Sequence, residues 1–152
     1  MEKKVLYINA CARSESRTDR IARALLERLG GLQEEVKLAE MDLQPLSEEA
    51  DYTDAMFDLE RQFQQADEIV IAAPYWDLSF PAILKLYLEN IYVTGLVSEY
   101  TETGRPHGLC LAGKLWYVTT AGGSYLSDFS YQYLHPPCRR ILRHPGDRAY
   151  LR

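Results

Sequence analysis

The chain has 152 residues, enough for one domain with a core of ordinary size. Its 47% apolar and 26% charged content is that of a soluble globular protein, and a net charge of −5 argues against nucleic acid or an anionic membrane as the main partner. No apolar run approaches the ~20 residues that span a bilayer.

Met1-Glu2-Lys3-Lys4 leads straight into a strand, so no signal peptide is expected and the expected location is cytoplasmic. Cys11, Cys110 and Cys138 are odd in number and far apart, which suits a reducing compartment better than a disulfide framework. With His107, His135 and His144 they show no metal-ligand spacing, and no metal site is expected.

Val5 to Asn9 is an apolar run that predicts a first buried strand. The loop Ala10 to Thr18 follows. It holds hydroxyls at Ser14, Ser16 and Thr18 and guanidinium groups at Arg13 and Arg17. Together with the free N–H groups of a helix start, these are the ingredients of a phosphate cradle; they equally suit a plain helix cap. The loop lacks the glycines of a P-loop or of a dinucleotide fingerprint. Ser16 with Asp19 resembles a weak capping box. The helix that begins near Thr18 would face Ile21, Ala22, Leu25, Leu26 and Leu29 inward and stop at Gly30-Gly31.

Glu35 to Met41 alternates and predicts a second strand. Asp42 to Asp54 is a polar connection, and Ala55 to Gln65 a second helix with Met56, Leu59 and Phe63 inward. Ile69 to Ala73 is short and β-branched, a third buried strand that Pro74 ends. After Tyr75-Trp76-Asp77-Leu78, Ser79 is suited to cap a helix and Pro81 to open it. Ile83, Leu84, Tyr87, Leu88 and Ile91 repeat at helical spacing, with Thr94-Gly95 as the stop.

Leu96 to Gly113 departs from the alternation. Val97 to Thr101 reads as extended, Thr103 to Gly108 as a turn, and Leu109 to Leu111 as the way back, an excursion of hairpin type near the ligand edge. Lys114 to Thr120 predicts the fourth strand, followed by Ala121-Gly122-Gly123-Ser124-Tyr125. Two glycines after a parallel strand allow backbone to approach something flat, or else make a flexible turn. Asp128 to Leu134 starts a fourth helix. From His135 onward the chain carries three prolines and five arginines, and neither a fifth strand nor a closing helix is expected there.

The order of these loops is more informative than any one of them. A hydroxyl- and Arg-bearing loop follows strand one, an aromatic loop strand three, and a Thr-Ala-Gly-Gly loop strand four. In a doubly wound sheet of order 2-1-3-4(-5) they meet at the switch point. One end would take a phosphate, the other a flat ring.

On the segments APYWDLSFPAILKLYLENIYVTG, EYTETGRPHGL and VTTAGG, the chain resembles the FMN-dependent NAD(P)H:quinone oxidoreductase and azoreductase family, over about residues 4–134. The resemblance implies a flavodoxin-like α/β fold, with Ser16, Arg17 and Thr18 on the FMN phosphate and Pro74, Tyr75, Trp76, Asp77 and Leu78 along the isoalloxazine. Thr120, Ala121, Gly122 and Gly123 would meet the pyrimidine side, with Tyr125 close by. It also implies a homodimer in which Trp76, Leu78, Tyr100 and Tyr125 wall the pocket, Tyr100 from the neighbouring subunit. NADH or NADPH would deliver hydride and a quinone or azo compound would then take two electrons, by ping-pong kinetics. No side chain is expected to act as catalytic acid or base. Residues 1–135 would form the FMN-binding domain, and 136–152 an atypical tail in place of the fifth strand and last helix.

Besides a damaged relative that folds poorly and holds no flavin, a reading that follows from the tail, two other readings remain at this level. Cys11, Arg17 and Thr18 match the spacing of the phosphate loop of low-molecular-weight protein tyrosine phosphatases, with Cys11 as nucleophile and Arg17 as clamp, though the chain has no Asp-Pro pair for their general acid. A flavodoxin-type electron carrier is the other, and it would have no use for the Leu96–Gly113 excursion.

Overall fold

The computed structural model describes residues 2–47, 53–92, 97–123, 129–130, 132–134 and 149–151. A parallel sheet runs through it in the order β2-β1-β3-β6-β7. Its members are β1 (Lys4–Asn9), β2 (Leu32–Lys37), β3 (Glu68–Ala72), β6 (Lys114–Val118) and β7 (Ala149–Leu151). A separate antiparallel pair is formed by β4 (Ser98–Tyr100) and β5 (Pro106–Gly108). The helices are α1 (Arg17–Leu29), α2 (Asp54–Gln65) and α3 (Ala82–Ile91), and residues 129–130 and 132–134 are also helical.

Period-two alternation in the central strands divides the core in two. Leu6, Ile8, Ile69 and Ile71 pack with Phe63 of α2 and with Leu84 and Tyr87 of α3. Val5, Tyr7, Val70 and Ala72 pack with Ala22 and Leu26 of α1. A strand covered on both faces has no solvated side, which is why β1 and β3 read as unbroken apolar runs. Each large side chain buried here contributes roughly 1.5–3 kcal/mol relative to exposure.

Several expectations are corrected. The second strand lies at Leu32–Lys37, not Glu35 to Met41. Only Val36 in it is buried; Leu38 reaches the core from one turn of 3-10 helix, Leu38–Glu40. The strand sits at the sheet edge, so little of it needs to be apolar. Ile21, expected inward, is 39% exposed, and Thr18 takes a buried place on α1 instead. Ser79 does not cap α3, whose N-cap is Pro81 with no side-chain bond. The Ser79 backbone pairs with Trp76 in a two-residue bridge (Trp76 N–H to Ser79 O 3.0 Å, Ser79 N–H to Trp76 O 2.8 Å).

The expected hairpin is present, but its turn is Thr101 to Arg105, closed by the Gly104 N–H on Thr101 O at 2.8 Å. Pro106 to Gly108, expected in the turn, belong to β5. Such a short edge strand tolerates a proline. In the tail, where no fifth strand was expected, Ala149–Leu151 pairs in parallel with Trp116–Val118. Three residues are too few for alternation to be visible in the sequence. Thr94, Gly95, Tyr125 and Asp128 lie outside the described residues.

Candidate functional site

Three loops leave the carboxyl ends of the adjacent strands β1, β3 and β6, and backbone hydrogen bonds carry them side by side beyond the sheet. Ala10 N–H donates to Ala72 O at 2.9 Å, Ala73 N–H to Val118 O at 3.0 Å and Tyr75 N–H to Thr120 O at 3.0 Å. Between them opens a cleft of about 370 Å³. Ala12, Arg13, Glu15, Ser16, Arg17 and Thr18 line it from the first loop, Pro74, Tyr75 and Trp76 from the second, and Thr120 and Gly122 from the third. Convergence follows from strand order: β1, β3 and β6 are neighbours, and the sheet reverses direction of build-up between β1 and β3.

The first loop ends in a helix start. Ser16 is the N-cap of α1, its Oγ accepting from the Asp19 N–H at 3.3 Å. That leaves other N–H groups of the first turn for an anion. Two side chains bridge to the third loop. The Thr18 and Thr120 hydroxyls are 2.7 Å apart, and Arg17 Nη2 donates to Ala121 O at 2.8 Å. Thr18 is fully buried. The hydroxyl pair therefore fixes the width of the cleft at its base, while the exposed Arg17 guanidinium spans its mouth.

The second loop is held in an uncommon backbone posture. Asp77 and Leu78 have φ of 48° and 67°, both left-handed, between the paired Trp76 and Ser79. Two such residues between a bridged pair form a type I′ turn, normally made by Asn and Gly. Trp76 and Leu78 remain 40% and 41% exposed. In the third loop a Cβ added to Gly122 or Gly123 would meet no atom within 4 Å.

Of the residues singled out in the sequence, Ser16, Arg17, Thr18, Pro74, Tyr75, Trp76, Thr120 and Gly122 share this cleft. Asp77, Leu78, Ala121 and Gly123 are in the same loops without lining it. Tyr100 stands apart on β4, 69% exposed, and takes no part in the cleft of its own chain. Tyr125 is outside the described residues. Sequence reasoning overlooked Glu15, a carboxylate at the cationic end of the cleft, and nothing in the local pattern marks it.

Cys11 is not placed as a nucleophile would be. It is 4% exposed, and its thiol donates to Ala72 O at 3.8 Å rather than opening to the cleft. Burial pushes its pKa up, outweighing the hydrogen bond with Ser16 that pulls it down. A phosphatase thiolate needs a lowered pKa and access to substrate. The chain is accordingly expected to release no nitrophenolate from p-nitrophenyl phosphate, with or without Cys11→Ser. Hydrolysis lost in the variant would overturn this.

The chain matches the family described as having a flavodoxin-like fold over residues 3–147. It is 38% identical over 139 residues to the FMN-dependent NADH:quinone oxidoreductase 2 of Clostridium acetobutylicum, covering 80% of this chain and 69% of that one. The chain belongs to the flavodoxin-like family of FMN-dependent quinone oxidoreductases and azoreductases. A second family member, the FMN-dependent NADH:quinone oxidoreductase of Coprothermobacter proteolyticus, is 37% identical over 142 residues, 82% of this chain and 70% of its own. The fold alone is shared with the FMN-dependent NADH-azoreductase of Bacillus anthracis, solved in complex with FMN. There the TM-score is 0.77 at 22% identity, over 97% of this chain and 85% of that one.

Proposed function

We propose that this family member binds FMN in the three-loop cleft and uses it to pass two electrons from NADH or NADPH to a quinone or azo compound. The observation that carries this is the convergence of a hydroxyl- and guanidinium-bearing helix start, an aromatic loop and a glycine loop on one cleft. The donor set suits the cofactor. Ser16, Arg17, Thr18 and the first N–H groups of α1 would take the phosphate, Arg17 exchanging its bond to Ala121 O for charge-assisted bonds to phosphate oxygen. Pro74, Tyr75 and Trp76 would flank the ring, and the bare backbone at Gly122 and Gly123 would admit its far edge.

When bound, the flavin supplies the redox chemistry, accepting hydride from the nicotinamide and releasing electrons to the acceptor. The chain's contribution is position and field. The N–H groups of Ala73, Tyr75 and Trp76 donate to protein carbonyls and so hold the second loop in place. The remaining backbone N–H groups of the second and third loops would oppose charge on the ring with little reorganisation. Among the described residues of the cleft, Glu15 is the only carboxylate, and it sits with the cationic groups rather than the aromatic ones. Among the described residues lining the ring end there is no carboxylate or imidazole, and both substrates would use the apolar surface of Trp76 and Leu78 in turn. In a homodimer, the exposed Tyr100 on the β4–β5 hairpin would extend that surface from the partner subunit.

The protein reconstituted with FMN is expected to retain a band near ~450 nm through gel filtration, to bleach with NADH and to recover with a quinone. A colourless eluate would overturn the proposal. Bleaching without recovery would leave the carrier reading in its place.

A further inference from the structure

Behind the cradle lies a polar cluster that the proposed function leaves unused. Asn9, at the end of β1, is 2% exposed and its carboxamide is engaged on both sides. Its Oδ1 accepts from the Cys11 backbone N–H at 3.0 Å. Its Nδ2 donates to Asp19 Oδ1 at 3.1 Å and to Glu35 Oε1 at 2.9 Å. The Tyr7 hydroxyl donates to the same Asp19 oxygen at 2.6 Å. Arg23 completes the cluster, with Nε on Asp19 Oδ2 at 3.1 Å and Nη2 on the two Glu35 oxygens at 2.9 and 3.1 Å.

Asp19 is the third residue of α1, in the turn whose N–H groups would meet an anion. A carboxylate facing the cleft from there would repel a phosphate dianion directly. Ser16, Arg17 and Thr18 line the cleft and Asp19 does not. Its charge is drawn to the far side by two neutral donors and one cation.

We propose that Asn9 and Tyr7 are positioning residues for recognition of the flavin phosphate: they hold the Cys11 N–H and the Asp19 carboxylate, and so set the curve of the first loop and keep negative charge away from its anion end. The inference rests on the flavin reading above. A carboxamide is suited to the hub, because one oxygen and one NH₂ serve a backbone donor and two carboxylates at once. An aspartate at position 9 would face two like charges. Burial, and then the bond to Asp19, raise the Tyr7 pKa far above the usual phenolic range, so its hydroxyl remains a donor.

FMN and riboflavin differ only in the phosphate, so the ratio of their dissociation constants reads that end of the cleft alone. Titrations followed by flavin fluorescence would compare the unaltered chain with Asn9→Ala and Tyr7→Phe. Melting with and without inorganic phosphate would accompany them. Loss of about one to two hydrogen bonds to charged groups predicts that FMN weakens ~10-fold in Asn9→Ala and ~3–5-fold in Tyr7→Phe, with riboflavin within ~2-fold. Stabilisation by phosphate should fall in the same order. Tyr7→Phe keeps the ring's volume and decides the matter should Asn9→Ala fail to fold. Equal losses for both flavins, or an unchanged FMN affinity, would overturn the positioning role while the function stood. If the unaltered chain bound neither flavin, the proposed function would fall and this inference with it.

Discussion

Gly122→Val is expected to weaken FMN binding by ~10–100-fold, the equivalent of the ~1–3 kcal/mol that added volume costs in a filled site. The fold should scarcely register the change. Gly122 has no positive φ to protect, and a Cβ there meets nothing within 4 Å, so its space belongs to the cleft and not to packing. Surface substitutions of this kind change stability by about ±0.5 kcal/mol. Quenching of free-FMN fluorescence and a thermal melt of the apoprotein separate the two effects. A melting point that drops along with affinity would mean that Gly122 serves the loop's own conformation.

The largest effect on stability is expected from Phe63→Ala, at about 3–5 kcal/mol. Phe63 is fully buried where α2 meets the sheet, in the same cluster as Ile69, Ile71 and Tyr87. Truncation leaves a void that the central strand cannot collapse into, because β3 is held in register by β1 on one side and β6 on the other. Urea denaturation reads the difference. A loss below about 1.5 kcal/mol would indicate that α2 shifts to fill the gap, an option typical of less constrained sites. The contrast with Gly122 is physical: one position is filled by the chain, the other kept empty by it.

How much of this was legible in the residues differs by element. β1, β3 and β6 were, because strands buried on both faces must be apolar throughout, and so were the loops at their ends, because small, hydroxyl and aromatic residues interrupt that pattern sharply. β2 was not. An edge strand with one buried residue carries no periodic signal, and Leu38, which supplied the apparent alternation, turned out to belong to the next turn. Glu60 was invisible for a different reason: on a helix surface a glutamate reads as solvated, yet it is fully buried and accepts from the Val97 N–H at 3.3 Å. The cluster around Asn9 joins residues from β1, α1 and β2, and partners assigned by folding cannot be read from spacing. Ser79 misled because its capping chemistry was real but its backbone was engaged elsewhere.

The left-handed pair Asp77-Leu78 has one further consequence. Each such residue other than glycine costs on the order of 1–2 kcal/mol in the free protein. That cost is met before any ligand arrives, and the rim around Trp76 is already shaped when the first encounter happens. Entropy that a loose loop would surrender on contact has been surrendered during folding. Association at this rim should therefore resemble a rigid collision more than an induced fit, with residence time, not capture, distinguishing one flat partner from another.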